Sequence, residues 1–191
     1  MSALRDSPEA VLDFWFGTDD QARAEWFRKD EAFDRLIADR FGALVERALA
    51  GELREWDAKP ASALARILLL DQFTRNIFRG TPRAFAGDPR ALAAARSLVA
   101  SGGDTALPPL RRSFVYLPFE HAEDLQAQHE AVRLFSALEA SAPQATGMLE
   151  YALRHRDIIA RFGRFPHRNA ILGRESTPEE IAFLREPGSS F

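Results

Sequence analysis

The sequence predicts an all-α protein, an irregular antiparallel array of helix hairpins with about eight helices. Apolar residues recur at helical spacing through most of the chain, and no segment shows the strict alternation that is typical of a strand. Proline and glycine occur where helices would begin and end. The connections are short and none has the composition of a linker, so we expect residues 1–191 to form a single domain.

Four helical segments are predicted in the N-terminal half of the chain. A Ser-Pro pair and a closing glycine bound the first, over residues 7–17. A shorter segment covers residues 20–27, and residues 30–50 carry apolar side chains at helical spacing before another glycine. The fourth begins at Pro60 and should end at Gly80.

Proline also marks the next segments. Asp88 and the proline after it fit the cap and first turn of a helix that stops at Gly102. The segment after the proline pair at 108–109 should break or kink at Pro118, because proline removes a backbone donor and clashes with the preceding turn. Helical spacing then resumes over residues 120–140.

The last part of the chain contains two further helix starts. Pro143 begins a helix that Gly163 should end. Residues 177–180 form a capping box with proline at the first helical position, so a short last helix follows. Residues 187–191 are expected to be a frayed tail.

Composition and charge exclude several classes of protein. The 191 residues include no cysteine, which excludes disulfides, thiolate metal ligands and a cysteine nucleophile. The net charge of −3 provides no basic field for nucleic acid or an anionic membrane. The longest run of large aliphatic residues, 67–70, is far short of the roughly 20 residues of a membrane span, and no signal-peptide pattern is recognised. We therefore expect a cytoplasmic protein without a cofactor.

The first polar motif interrupts a stripe of apolar residues that should face the core. Asp71 and Arg75 are four residues apart, a spacing that favours an ion pair on a helix, and Gln72 and Asn76 repeat it one residue further on. One interpretation is a structural polar layer that fixes the helix register. The other is a ligand site, because four adjacent polar groups exceed what one such layer requires.

The second motif lies around the predicted helix break. It contains Tyr116, and it places His121 near Glu123 and Asp124, which makes a general acid–base pair possible. A metal site is disfavoured, because His121 and Glu123 are two residues apart and do not face together on a helix. The alternative is that the two carboxylates only cap the following helix.

The third motif is a basic and aromatic segment over residues 161–169. Arginine and histidine alternate there with phenylalanine and proline, which would anchor the loop. A guanidinium fork suits a carboxylate or phosphate, whereas arginines that pair with acidic side chains would only staple the loop. The preceding helix turns Tyr151 and a histidine inward, and such a lone histidine is more often a core residue. The candidates are His155, Arg164, His167, Arg168 and Asn169.

Taken together, these segments resemble a known family of bacterial proteins, the domain of unknown function 924 family. The resemblance covers roughly residues 8–184 and implies an all-α fold of the tetratricopeptide-repeat-like superfamily. Thr74 stands where the family is expected to have proline more often. The family brings no established reaction, so it implies no catalytic roles. The segments that carry the resemblance are residues 11–17, 26–27, 71–79, 116–124 and 161–174.

The leading hypothesis is that the three motifs meet in a polar pocket that binds a small anionic molecule or the acidic end of a peptide. A hydrolase is the alternative, with His121 or His167 as acid or base and Glu123 or Asp124 as the carboxylate. A third possibility is a repeat-like scaffold for a protein partner. The sequence decides neither the substrate, nor the oligomeric state, nor whether the protein is an enzyme. The expected ligand-binding residues are Asp71, Gln72, Arg75, Asn76, Tyr116, His155, Arg164, Arg168 and Asn169.

Overall fold

In the computed structural model, which describes residues 6–17, 21–26, 28–142 and 147–190, the chain is helical and these residues form no strand. A π turn over Leu69–Phe73 joins the helices on either side of it without a break. These two are labelled separately below, as α3 and α4, but they count as one helix, so the described residues carry eight helices. The predicted fold class is confirmed. The helices are α1 (Pro8–Phe16), α2 (Glu31–Leu49), α3 (Pro60–Leu68), α4 (Thr74–Ile77), α5 (Asp88–Ala100), α6 (Pro109–Glu120), α7 (Leu125–Ser141), α8 (Met148–Phe162) and α9 (Pro178–Phe183).

Helix α3 is the centre of the array. It packs against α1, α5 and α6, and the π turn and α4 that follow it pack against α2. Further along, α6 packs against α7 and α7 against α8, as expected for successive helices joined by short connections. No helix of the described residues is long and apolar enough to cross a membrane.

The main hydrophobic core is rich in aromatic rings. Trp15 lies 5.3 Å from Phe73 and 5.8 Å from Phe114 between ring centroids, and Phe41 lies 5.2 Å from Phe73. Edge-to-face and tilted contacts of this kind each add about 0.5–1.5 kcal/mol beyond the area they bury. A smaller cluster around Phe165 joins α8 to α9. The loop that follows α8 is therefore anchored by its own phenylalanine in this smaller cluster.

Two of the predicted segments differ from the structure near the N-terminus and at Pro118. The described part of segment 20–27 forms only a 3₁₀ turn, Ala24–Trp26, and its tryptophan stacks on Trp15 at 5.7 Å. Residues 18–20 and 27 lie outside the described residues. Helix α6 runs through Pro118 and ends two residues later, where the Gln128 amide donates to the carbonyls of Phe119 and Glu120.

The later helix starts also need correction. Helix α7 begins at Leu125 and not at 120, because the Asp124 carboxylate accepts the Gln126 N–H and caps it. Helix α8 begins at Met148, and Pro143 lies outside the described residues. Tyr151 is exposed and does not face the core. In the tail, Ser189 is buried and its hydroxyl donates to a carbonyl of the preceding turn, so that residue is not frayed.

The π turn is the local backbone feature that positions Asp71 and Gln72 of the candidate site. It follows α3 directly, and the Thr74 hydroxyl donates to the Leu70 carbonyl at 2.8 Å and to the Asp71 carbonyl at 3.2 Å. The backbone of Gly87 lies against this turn so closely that a Cβ there would be 2.0 Å from the Leu70 oxygen. Wide turns of this kind occur often at functional sites.

Candidate functional site

Asp71 is a carboxylate buried inside the π turn. Its Oδ1 lies 3.2 Å from the Arg75 Nη1 and 2.7 Å from the His121 Nδ1, and its Oδ2 accepts a hydrogen bond from Gln72 at 2.6 Å. Burial by itself raises the pKa of Asp71, but the charge of Arg75 and the hydrogen bonds with His121 and Gln72 hold it well below its usual range. Asp71 is therefore ionised.

His121 follows the last residue of α6 and is the partner of that carboxylate. Burial lowers the pKa of His121, and the nearby charge of Arg75 adds to this effect against the opposing influence of Asp71. The ring is accordingly neutral near pH 7, and its Nδ1–H must donate to the ionised Asp71. This tautomer leaves Nε2 with a lone pair.

Asp88 links the first motif to the third. Because Gly87 lies against the π turn, Asp88 reaches Arg75 and accepts a bidentate pair at 2.8 and 3.0 Å. Asp88 was predicted to cap α5, but it occupies the first turn while Gly87 stands at the cap, and its carboxylate pairs with arginine. Arg168 also contacts Asp88, at 3.3 Å, and donates to the His121 carbonyl at 3.0 Å.

Arg168 is buried and its charge is only partly compensated. Its guanidinium lies between the rings of Phe85 and Phe165, 4.5 and 4.6 Å from their centroids. The Nε of Arg168 has no hydrogen-bond partner among the described residues. Burial and the charge of Arg75 lower the pKa of Arg168 to about 10, so it remains a cation at neutral pH. We call Asp71, Arg75, Asp88, His121 and Arg168 the cleft cluster.

An open cleft of about 510 Å³ lies over this cluster. One side of it is formed by α5 and the segment before it, the other by the end of α6 and the loop after α8. A mostly apolar lining with a few polar groups is typical of small-molecule sites. The lining residues are Pro82, Phe85, Ala86, Asp88, Pro89, Leu92, His121, Ala122, Glu123, Arg168 and Leu172.

A second buried pair lies next to the cleft cluster. The His155 Nδ1 is 2.8 Å from the Tyr151 carbonyl and 3.1 Å from the Glu120 Oε1, and the rings of His155 and His121 are 6.2 Å apart. Burial and the charge of Asp71 raise the pKa of Glu120 to about 8, while burial and the charge of His121 lower the pKa of His155 to about 3. Both side chains are therefore largely neutral at pH 7.

Asp88, in the cleft cluster, and Glu120, beside it, are the main residues of the site that the sequence analysis did not identify. The Asp-Pro pair was interpreted as a helix cap, and Glu120 was not singled out from the motif that contains His121. The signal for Glu120 was its place beside His121 in a run of otherwise apolar residues.

Three predicted site residues lie elsewhere. The Asn76 amide donates to the Asp34 carboxylate at 2.7 Å, so it joins α4 to α2. The Tyr116 hydroxyl donates to Asp104 at 2.6 Å, away from the cleft lining. Asp124 caps α7 and is exposed, which is the structural alternative considered above.

Arg164 and Asn169 hold the loop to α9. Arg164 makes a bidentate pair with Glu180 at 2.7 and 2.8 Å, and the Asn169 amide donates to the same carboxylate at 3.3 Å. The N–H of Thr177 donates to Glu180 as well, at 2.8 Å. We call these four residues the α9 staple. They are an example of the stapling that was the alternative to ligand binding.

Glu123 and His167 complete the set of candidates. Glu123 borders the cleft but accepts a bidentate pair from Arg174 at 2.6 and 2.9 Å and the Phe165 N–H at 2.7 Å, so it also fixes the loop. The His167 ring is 5.6 Å from the Phe165 ring, and burial and the charge of Arg168 lower its pKa to about 4. In the part of the chain that the structure describes, no three His, Asp or Glu side chains are grouped to hold a metal ion.

Comparisons with known proteins agree with the fold and extend over the whole site. The family model described as a bacterial protein of unknown function, DUF924, matches residues 11–188. A solved structure of a protein of unknown function from Agrobacterium tumefaciens is similar, with 44% sequence identity and a TM-score of 0.85. The similarity covers 96% of this chain and 98% of that one. No curated protein sequence matches the chain.

Proposed function

The chain belongs to the DUF924 family of bacterial proteins of unknown function, and we propose that its cleft binds a small molecule with an apolar body and one carboxylate group. The observation that carries the proposal is the incomplete pairing of Arg168, a cation that borders the cleft. In the part of the chain that the structure describes, its carboxylate contact is a single nitrogen–oxygen distance of 3.3 Å to Asp88, and that carboxylate already pairs in bidentate fashion with Arg75.

The charges around the cleft favour a single negative charge on the ligand. Asp88 and Glu123 both border the cleft and would repel a dianion such as phosphate. Arg168, by contrast, can still bind one carboxylate, because a planar carboxylate is the partner that best fits the hydrogen-bond donors of a buried guanidinium. The acidic end of a peptide carries the same group, so it falls within the same class.

The walls of the cleft determine the other part of the ligand. Phe85, Leu92 and Leu172 present aromatic and aliphatic side chains to it, and the burial of an apolar body against them is favourable. The loop that carries Arg168 is already fixed by the α9 staple and by the pair between Glu123 and Arg174. A preorganised loop loses little conformational entropy when a ligand arrives, which favours binding.

Thermal-shift measurements with a panel of aliphatic and aromatic carboxylates, and of phosphorylated metabolites, test the proposal. We expect a carboxylate to raise the melting temperature of the wild type and to have a clearly weaker effect on Arg168→Lys, because one ammonium cannot reproduce a bidentate fork. Arg154→Lys is the control, since that arginine is exposed on α8 and pairs with Glu150, away from the cleft lining and from the α9 staple.

The proposal is wrong if no carboxylate stabilises the wild type, or if Arg168→Lys responds like the wild type. A stronger response to phosphate esters than to carboxylates would contradict the choice of a single charge. The scaffold hypothesis and the cytoplasmic location stay predictions.

A further inference from the structure

The pair of Asp71 and His121 has the arrangement of an oriented acid–base group. A buried, ionised carboxylate 2.7 Å from Nδ1 fixes both the tautomer and the orientation of the imidazole. His121 also borders the cleft and its side chain is 15% exposed, so the residue that contacts the buried Asp71 also lies next to the proposed ligand site. A carboxylate behind a histidine also stabilises the imidazolium that forms when the ring takes a proton.

We propose that the cleft is a hydrolase site in which His121 is the general base and Asp71 its positioning residue. The substrate class is a carboxylic ester or amide of a molecule that also carries a free carboxylate, which Arg168 holds. This inference rests on the proposed function, because it needs the acidic molecule to bind in the cleft.

The chemical step needs only water as a second reactant. The Nε2 lone pair of His121 takes a proton from water while the water oxygen attacks the carbonyl carbon of the substrate. The bond from that carbon to the ester oxygen or amide nitrogen then breaks, the imidazolium returns the proton to the leaving group, and the products are an acid and an alcohol or amine. The cleft is open to solvent, so water can enter beside a bound substrate.

The titratable groups around His121 have pKa values on both sides of neutrality, and burial and the charge of Arg168 lower the pKa of His167, in the loop after α8, to about 4. Asp71 has its pKa held well below the usual range, and Arg75 has its pKa raised by Asp71 and Asp88 in spite of burial. The pKa of His155 is lowered to about 3 and that of Glu120 is raised to about 8, by burial in both cases. The activity should therefore rise with pH through an inflection below 6.5, the ordinary pKa of histidine.

The probe is p-nitrophenyl hydrogen glutarate, with the uncharged p-nitrophenyl pentanoate as its counterpart of similar length. We expect saturable release of p-nitrophenolate by the wild type, faster at low concentration for the charged ester. His121→Gln should reduce kcat by about a hundredfold or more, the usual contribution of a general base. The matched control is His129→Gln, because that histidine is exposed on α7 and should keep the wild-type rate.

The pH profile separates a chemical role from a structural one. His121→Gln should lose the acidic inflection, and Asp71→Asn should lower kcat and displace the inflection. If Asp71→Asn does not fold, the histidine variants and their profiles decide the matter alone. Equal rates for the wild type and His121→Gln would overturn the inference, as would an equal loss in His129→Gln.

The two proposals fail in different ways. Carboxylates that raise the melting temperature while neither ester is hydrolysed would leave the binding proposal standing and remove the hydrolase. Hydrolysis that depends on His121 but not on Arg168, with no preference for the charged ester, would contradict the proposed substrate class.

Discussion

Arg164 and Arg168 lie four residues apart in one loop and have opposite surroundings. Arg164 is partly exposed and is engaged by the α9 staple, where Glu180 accepts hydrogen bonds from its Nε and Nη2. Arg168 is buried in the cleft cluster and shares a carboxylate that is already paired. The difference shows that the number of compensating contacts, and not the presence of arginine, distinguishes a binding candidate from a structural tie.

The same contrast holds for two buried glutamates. Glu180 accepts hydrogen bonds from Arg164, Asn169 and the Thr177 N–H, and these lower its pKa to about 2. Glu120 is equally buried and lies beside the cleft cluster, but no guanidinium among the described residues pairs with it, so burial and the charge of Asp71 raise its pKa to about 8. The partners of Glu180 stabilise its ionised form, whereas Glu120 is more stable when it is protonated.

The largest effect should come from removing Arg75, which compensates two carboxylates of the cleft cluster. Arg75→Ala leaves Asp71 buried without its main cation and Asp88 without its bidentate partner, so we expect a loss of about 3–5 kcal/mol in the free energy of unfolding. Urea unfolding measures it. Arg96→Ala, which breaks an exposed pair with Asp124, should cost less than about 1 kcal/mol. Similar losses for both variants would show that the cleft cluster is no more sensitive than the surface.

A smaller loss is expected at the contact that places Asp88 beside Arg75. Gly87→Ala puts a Cβ 2.0 Å from the Leu70 oxygen, so the backbone must shift, at a cost of about 1–3 kcal/mol. Gly42→Ala is the control, because nothing lies within 4 Å of its Cβ and alanine favours a helix interior by about 0.5–1 kcal/mol. Thermal unfolding should separate the two in sign. A stabilised Gly87→Ala would show that the close approach is not needed.

The third prediction concerns the pH dependence that Glu120 imposes. Its pKa is about 8 in the folded state and about 4.5 in the unfolded state, so the folded chain keeps a proton and loses stability as pH rises towards 8. Between about 4.5 and 6.5 His155 opposes this, because its folded pKa of about 3 makes stability rise with pH. The window is therefore about 6.5 to 8, with a slope near 1.4 kcal/mol per pH unit.

Glu120→Gln should remove that slope, since glutamine stays neutral and keeps an oxygen in place. The free energy of unfolding, measured in urea at several values of pH, should be nearly flat for the variant and should fall for the wild type. An equal slope in both would show that Glu120 is ionised in the folded protein.

The smallest effect on stability is expected in the α9 staple, and its pH dependence is opposite to that of Glu120, because stability is lost as pH falls. Because the pKa of Glu180 is about 2 when folded and about 4.5 when unfolded, its contribution is present above pH 4.5 and is lost as pH falls through 2. Glu180→Gln should reduce the acid-induced loss of stability relative to the wild type. Glu179→Gln, in an exposed pair with Arg161, should leave the acid transition unchanged. If both variants show the same acid-induced loss of stability, the α9 staple makes no specific contribution to stability.

Periodicity was enough for the parts of the molecule that depend on local spacing. The helices of the main core and the pair between Asp71 and Arg75 follow from residues three and four apart. The meeting of the three motifs follows from the cost of burying charge without partners. None of these inferences required knowledge of which helices pack against each other.

The partners from distant elements could not be predicted in that way. Asn76 and Tyr116 were placed in the site, but their partners are Asp34 and Asp104, which only the packing of the helices brings near. Asp88 was interpreted as a local cap because nothing in its own segment reveals a guanidinium across the interface. A one-dimensional pattern identifies a buried polar side chain and leaves its partner open.

Because of the π turn, the geometry of the cleft depends on the number of residues in this helix as well as on their identities. A five-residue turn corresponds to an α-helix with one residue inserted, and the wide turn absorbs that residue so that the helix after it keeps its face. Deletion of Gln72 should restore an uninterrupted α-helix, remove the amide that donates to the Asp71 carboxylate, keep the helical circular dichroism and weaken the response to carboxylates. A helix that otherwise belongs entirely to the core can thus acquire a charged site by a single insertion, without a new loop or a new domain.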